Sequence, residues 1–453
     1  MTRALHKVNP KPHTRYLLAL TLIVICISAS LLAIHEAIIQ RAVIVAGICL
    51  VLWLTEVVPP YVPTFVLWAL TPLLLFSFGN QFELSRVLGW SANPVLALFL
   101  GGFALSVAAK RHGIDTFITH HAVRLSRGSK FFLLVLTMAA TASLSMWMSN
   151  IAAAAMMIAA LHSLLSGVPT HDSFRRALLT GIAIAANFGG IATPIGTGPN
   201  AIAIAAVSSQ YQITFTSWML FALPLALGLL ALALLILSFR FQLRGQTNNL
   251  TAVQVSKIDA RGTSVMILFF ITVLAWLTEP LHGITAAVIA LSATALLFGS
   301  GLLGREDLAR IDWSTLLLIA GGIGLGNLLD QSGTVRLASD SLPWQQFPPT
   351  ARLFMLCFVS ASLSALMSNT AAVTMLIPLA AGIDPAPSTA ILIAIAASLG
   401  IPFAISTPPN AMIYGEGGIT FSDLAVPGLV LMILGCIIVT VTGPFVLHLI
   451  GIP

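Results

Sequence analysis

Charge is what this chain of 453 residues has least of. Lys, Arg, Asp and Glu make up 8% of it, against roughly 25% in a soluble globular domain. With 58% hydrophobic residues and a mean hydropathy of +0.98, that scarcity excludes a soluble fold and leaves a polytopic membrane protein. Cysteine is scarce too. Cys26, Cys49, Cys357 and Cys436 all fall within apolar stretches; they fit neither a metal spacing nor a disulfide framework and read as small packing residues. Catalytic signatures are also missing. The chain has no HExxH, no G-x-S-x-G and no Walker motif, which argues against a membrane enzyme.

What fills the chain is apolar runs of about 20 residues, each long enough for a hydrocarbon core of ~30 Å. They lie near 16–34, 41–55, 62–78, 93–110 and 216–239, then near 263–278, 283–300, 313–330 and 424–450. Between them come two paired segments, 131–166 and 351–382, and two broken ones, 174–208 and 388–414. The first run follows a basic tail (Arg3, Lys7, Lys11, Arg15) with no small-residue cleavage site, and reads as a retained span.

The net charge of +6 marks loops rather than a nucleic-acid partner. Lys110, Arg111, Arg124, Arg127 and Lys130 crowd one loop. Arg175 and Arg176 precede the first broken segment, and Arg240, Arg244, Lys257 and Arg261 fill a central linker. All three groups fall on one side if the N-terminus is cytoplasmic and the paired segments re-enter without crossing, as the positive-inside rule asks. The C-terminus then lies outside. The expectation is an all-α protein of the inner (plasma) membrane, with about 11 transmembrane helices and two re-entrant helical hairpins.

The halves match each other. WLTE occurs at Trp53–Glu56 and at Trp276–Glu279, and MSN at Met148–Asn150 and Met367–Asn369. LALFLGGFALSVAAKRHGI, ending at Ile114, parallels LLLIAGGIGLGNLLDQSGT, ending at Thr334, and GTGPN (196–200) is answered by STPPN (406–410). This predicts a tail and first span over 1–35, a first repeat over 36–240, a cytoplasmic linker over 241–262 and a second repeat over 263–453. An odd number of crossings per repeat makes the second inverted. Inverted repeats with broken helices are a mark of secondary transporters, whose substrate sites lie near the midplane.

Ser149-Asn150 and Ser368-Asn369-Thr370 sit midway through the paired segments. A lone Ser-Asn pair in an apolar helix usually serves as interhelical hydrogen-bond glue; duplication at matched positions is what sets these apart. They read as hairpin tips, where the second arm begins a helix and presents free N–H groups and a positive dipole end. Such a tip favours an anion. The partner stretches, IATPIGTGPNAIAIA and FAISTPPNAMIYG, hold Pro and Gly that interrupt a helix. Their bared carbonyls, with the hydroxyls of Thr197, Ser406 and Thr407, suit hard cations such as Na⁺. Glu56 and Glu279 close two spans and read as snorkelling or capping residues, and the GG pairs at 101–102 and 321–322 as packing.

At these residues the chain resembles the divalent-anion:sodium symporter family. The family's Ser-Asn-Thr tips look like Ser149-Asn150-Ile151 and Ser368-Asn369-Thr370, and its Thr-Pro-Pro-Asn breaks look like Thr197-Gly198-Pro199-Asn200 and Thr407-Pro408-Pro409-Asn410. The resemblance implies a homodimer with a scaffold and an elevator-like transport domain, and sodium as coupling ion with no other cofactor. It implies one sodium site around Ser145, Ser149, Asn150 and Gly196, and another around Ser364, Met367, Asn369 and Ser406. Substrate contacts fall to Asn150, Thr197, Asn369, Thr370, Thr407 and Pro408, with Ile151 at the remaining tip position. Two departures stand in the first half: Ile151 replaces a Thr and Gly198 a Pro. The expected activity is sodium-coupled symport of a small divalent anion such as a C4 dicarboxylate. A sodium-independent carboxylate exchanger or sulfate transporter is the alternative; a channel would need a continuous polar pore.

Overall fold

The computed structural model describes residues 12–126, 129–208, 210–243, 258–340 and 344–452. The expectations placed on Arg3, Lys7, Lys11, Arg127, Arg244 and Lys257 lie outside those residues. Every regular element among the described residues is a helix. Eight helices among the described residues are long and apolar enough to cross a membrane, and the protein is an integral membrane protein.

The paired segments are two arms each. Lys130–Ser145 is followed by Asn150–Ser166, and Pro349–Leu366 by Asn369–Ile383. Pro349–Leu366 is one of the eight; the other three arms, of 16, 17 and 15 residues, are shorter. The broken segments are Ser173–Gly189 with Gly198–Val207 and Pro387–Ala397 with Pro408–Gly415. These bounds fall within two residues of those read from the sequence. One expectation changes. The basic stretch from Lys110 to Lys130 was expected as a loop, but Ile114–Leu125 is a helix. Its apolar residues alternate with His and Arg at helical spacing, and it is too short to span, so hydropathy alone passes over it.

Three large groups of helices share the interior, one of them built on Pro94–Arg111, Gly198–Val207, Ala260–Leu277 and Ala286–Gly299. Both broken segments, the first hairpin, Pro349–Leu366 of the second, Phe215–Phe241 and Phe421–Leu449 bury their side chains in one core, with Leu178, Leu392, Leu399 and Cys436 fully enclosed. Ala37–Thr55, Val62–Leu75 and Trp313–Gln331 form a second group, which receives Met367, Ala371 and Ala372 of the other hairpin. The glycine pairs mark close helix contacts. A Cβ at Gly102 would fall 2.9 Å from Ile195, and one at Gly322 would fall 2.7 Å from Thr374. Helices this close leave no room for a side chain, so the packing reading of both pairs holds.

Charges tie the two repeats together. Asp423, fully buried, takes Arg176 at 3.2 Å on both carboxyl oxygens and also accepts from Thr420. Arg175, also buried, donates to the carbonyls of Leu165 and Glu416. Both carbonyls lie at helix C-terminal ends, where a cation is favoured.

The two WLTE motifs part company. Glu279 is buried and accepts from the backbone N–H groups of Phe215 (3.2 Å) and Ala286 (3.3 Å), so it caps two helix starts. Glu56 is the C-cap of Ala37–Thr55 in the left-handed region, and its side chain makes no hydrogen bond among the described residues. The cause is local. Ala286 lies seven residues after Glu279, whereas the residue at that spacing after Glu56 is Pro63, which has no N–H to give. Glu279→Ala should therefore strand two buried N–H groups, at about 1–3 kcal/mol each. Glu279→Gln, which keeps one acceptor oxygen, should lose less. Thermal unfolding of the purified protein in detergent tests the order; an unchanged midpoint in both variants would refute it.

Candidate functional site

The tips are built the same way twice. Ser149 caps the second arm of its hairpin by accepting from Ala152 N–H, and Ser368 does so from Ala371 N–H, both at 3.3 Å. Each cap leaves an Asn as the first helical residue. In each half a serine from the preceding arm reaches it: Ser145 Oγ lies 2.7 Å from Asn150 Oδ1, and Ser364 Oγ 2.7 Å from Asn369 Oδ1. Ser145 Oγ also lies 2.6 Å from the Ala186 carbonyl.

The breaks answer the tips. Between Gly189 and Gly198 the chain leaves the helix, and Asn200 Nδ2 spans the gap by donating to the carbonyls of Gly190 (3.0 Å) and Thr193 (2.8 Å). Asn410 does the same for Ile401 (2.8 Å) and Phe403 (2.9 Å). The asparagines of the two Pro-Asn pairs are thus braces, replacing the helical bonds that unwinding removes. Close approach does the rest. A Cβ at Gly190 would fall 2.7 Å from Asn150 Oδ1, so only glycine lets the tip carboxamide settle on the first break.

One cavity of about 710 Å³ brings the four pieces together. Its wall includes Ser149, Asn150 and Ile151 of the first tip, with Asn369 and Thr370 of the second. Gly196 and Thr197 line it from the first break, and Ser406, Thr407 and Pro408 from the second. Ile151 is 47% exposed and presents an aliphatic surface where Thr370 presents a hydroxyl. Ser145 and Ser364, fully buried, stand behind the tips rather than on the wall. Met367 packs its side chain among Leu67, Leu325 and Leu328, so what it can offer an ion is its main-chain oxygen.

Sequence reasoning missed part of the wall. Asn187 lines the cavity from the helix before the first break; Glu56, read only as a capping or snorkelling residue, and Asp312 line it from the ends of Ala37–Thr55 and Trp313–Gln331. Asp312 also caps Trp313–Gln331 at Thr315. A lone carboxamide inside the run AIAANFGG was the available signal for Asn187. Among the described residues no Lys or Arg lines the cavity; its positive ends are the helix starts at Asn150, Gly198, Asn369 and Pro408.

A helical membrane chain with paired hairpin tips and paired unwound breaks around one cavity has the form of a membrane transporter. The comparisons agree. Residues 50–392 match a family model described as "Citrate transporter", and the chain belongs to that family. An uncharacterized transporter of Haemophilus influenzae is 29% identical over 418 residues, 86% of this chain and 88% of its own. The sodium-dependent dicarboxylate transporter SdcS of Staphylococcus aureus is 27% identical over 442 residues, 88% of this chain and 84% of that protein. The crystal structure of the YdaH transporter of Alcanivorax borkumensis matches with a TM-score of 0.61. It covers 86% of this chain and 99% of that one at 16% identity, a likeness of fold alone.

The Gly198 departure has a visible consequence. A Cβ there would run into the side chain of Thr370, so the space left by the missing proline ring is taken up by the opposite tip. Gly198→Ala should crowd Thr370 and lower the thermal midpoint. Gly228→Ala, at a helical position where nothing approaches a Cβ, should leave it unchanged or raise it. Equal midpoints for the two variants would contradict this packing.

Proposed function

We propose that the protein is a secondary active transporter that carries a small divalent anion, such as a C4 dicarboxylate, with sodium ions across the cytoplasmic membrane. The observation that carries this reading is the convergence of both tips and both breaks on one cavity without a cationic side chain among the described residues. Helix starts and neutral donors then hold the anion, at Asn150, Thr197, Asn369, Thr370, Thr407 and Pro408, with Ile151 bounding the first side. Sodium lies behind the tips: at Ser145, Ser149, Asn150 and Gly196 in the first half, and at Ser364, Met367, Asn369 and Ser406 in the second.

A shortage of protons supports the cation. Ser145 Oγ faces two acceptor oxygens, Asn150 Oδ1 and the Ala186 carbonyl, but a hydroxyl has one proton to give. A hard cation among these oxygens relieves the crowding of lone pairs. Because neither tip holds a carboxylate, the anion's own charge completes the cation sites, which makes the two bindings mutually dependent.

Movement is read as elevator-like, within a homodimer whose N-terminus is cytoplasmic and whose C-terminus is outside. Unequal docking of the halves supports it. Phe215 stacks on Trp276 at 4.7 Å and 14°, and Trp147 lies parallel to both. The matching residues of the other half, Leu366 and Phe421, are 63% and 66% exposed, while Trp53 lines the cavity instead. One side of the moving unit is docked and the other is open.

Uptake of labelled succinate, citrate and sulfate into proteoliposomes, with and without a sodium gradient, tests the function. Equal uptake in choline would replace symport by sodium-independent exchange. Asn150→Ala and Asn369→Ala should each abolish uptake while the protein stays folded; near-normal uptake by either would sink the two-tip site. Ile151→Thr should tighten succinate about tenfold to a hundredfold by pairing an oxyanion oxygen otherwise left bare, and Thr370→Ile should weaken all anions. Competition binding decides; unchanged or weaker succinate binding by Ile151→Thr would remove residue 151 from the anion's surroundings.

A further inference from the structure

On the cavity wall, Asn187 has no polar counterpart in the other half. Asn187 is 1% exposed, in a helix whose neighbours are almost all apolar. The equivalent position ahead of the second break is Ala397. Its carboxamide has a fixed orientation. Nδ2 donates to the Ala183 carbonyl at 2.8 Å, a partner that Oδ1 could not take. The second proton of Nδ2 goes to Thr407 Oγ1 at 3.2 Å. Oδ1 is then left buried with no partner, a cost that a residue kept only for packing would avoid.

The consequence falls on Thr407. Its hydroxyl accepts from Asn187 Nδ2 and from the Asn410 backbone N–H, the latter at 3.3 Å. A hydroxyl has two acceptor positions and one proton. Both acceptor positions are occupied, and no protein acceptor takes the proton among the described residues. Thr407 lines the cavity, so the O–H is left to donate there. Thr197, its repeat mate, makes no such cap bond, and its hydroxyl has no hydrogen-bond partner among the described residues. Its hydroxyl is free to turn either way.

We infer that Asn187 is a positioning residue for the transported anion. By filling an acceptor position of Thr407 it sets that hydroxyl as a donor, so the second half of the site holds a carboxylate or other oxyanion end more firmly than the first. Ile151 on the first side and Thr370 on the second bias the site the same way. The inference rests on the reading that Thr407 meets the anion, and it adds a residue and a direction to that reading.

A double-mutant cycle on proteoliposome uptake, with succinate and citrate as probes at saturating sodium, tests it. Thr407→Val should raise KM tenfold or more. Asn187→Ala should raise it several-fold in the unaltered chain but add less than twofold in the Thr407→Val background. Asn187→Asp, close in shape, should do more harm than Asn187→Ala: its carboxylate takes the Thr407 proton and puts negative charge on the wall. Its thermal midpoint serves as the check on folding. If Asn187→Ala raises KM by the same factor in both backgrounds, or Asn187→Asp is no worse than Asn187→Ala, Asn187 does not act through Thr407. If Thr407→Val leaves KM unchanged, the anion does not meet Thr407, and both the reading and the inference fall. Uptake of neither probe by the unaltered protein would bring down the transport reading itself.

Discussion

At membrane depth every backbone polar group must find a partner inside the protein or in a water-filled cavity, and the fold is organised around the places where helices fail to supply one. The two breaks bare their carbonyls only because Asn200 and Asn410 recover part of the lost bonding from within the same segment. The hairpin tips bare their N–H groups only because Ser149 and Ser368 cap one each. Both tips and both breaks line one cavity. Binding capacity here is the residue of incomplete helix hydrogen bonding, held rigid by four short polar side chains.

That constraint explains why charge can be so scarce. A lysine or arginine in the cavity would hold an anion strongly but would be costly at mid-membrane in the absence of one. Helix ends provide partial charge that needs no counter-ion. The chain places its buried charge elsewhere: Arg175, Arg176 and Asp423 clamp the first broken segment to the second repeat, where each ion has a partner. Those full charges serve assembly; on the cavity wall the charged side chains among the described residues are Glu56 and Asp312, and positive charge comes from helix ends.

Much of this was legible in the sequence because the relevant signals are local. Ser-Asn inside an apolar run, Pro and Gly clustered before an Asn, and the duplication of both give the hairpins, the breaks and their bounds nearly to the residue. What stayed hidden depends on neighbours distant in sequence. Nothing in WLTE says that one glutamate will find the Phe215 and Ala286 N–H groups while the other faces a proline and is left on the cavity wall. Asn187 reads as an isolated carboxamide until Thr407, 220 residues on, is seen to accept from it. Ile114–Leu125 was passed over because an amphipathic helix too short to span leaves no mark on a hydropathy scan.

Several departures from repeat symmetry gather at the cavity. Ile151 against Thr370, Gly198 against Pro408, and Asn187 against Ala397 all lie on or beside the same wall, while the Asn braces of the breaks and the Ser caps of the tips are matched in both halves. A change in a brace would unpair backbone inside the membrane and endanger the fold; a change on the wall alters only what the cavity faces. Gly198 shows how the two kinds meet, since its missing side chain is what admits Thr370 from the opposite tip. Variation at these wall positions changes what the cavity presents while leaving the matched braces in place. There it has produced one half with an oriented hydroxyl and one with an aliphatic face.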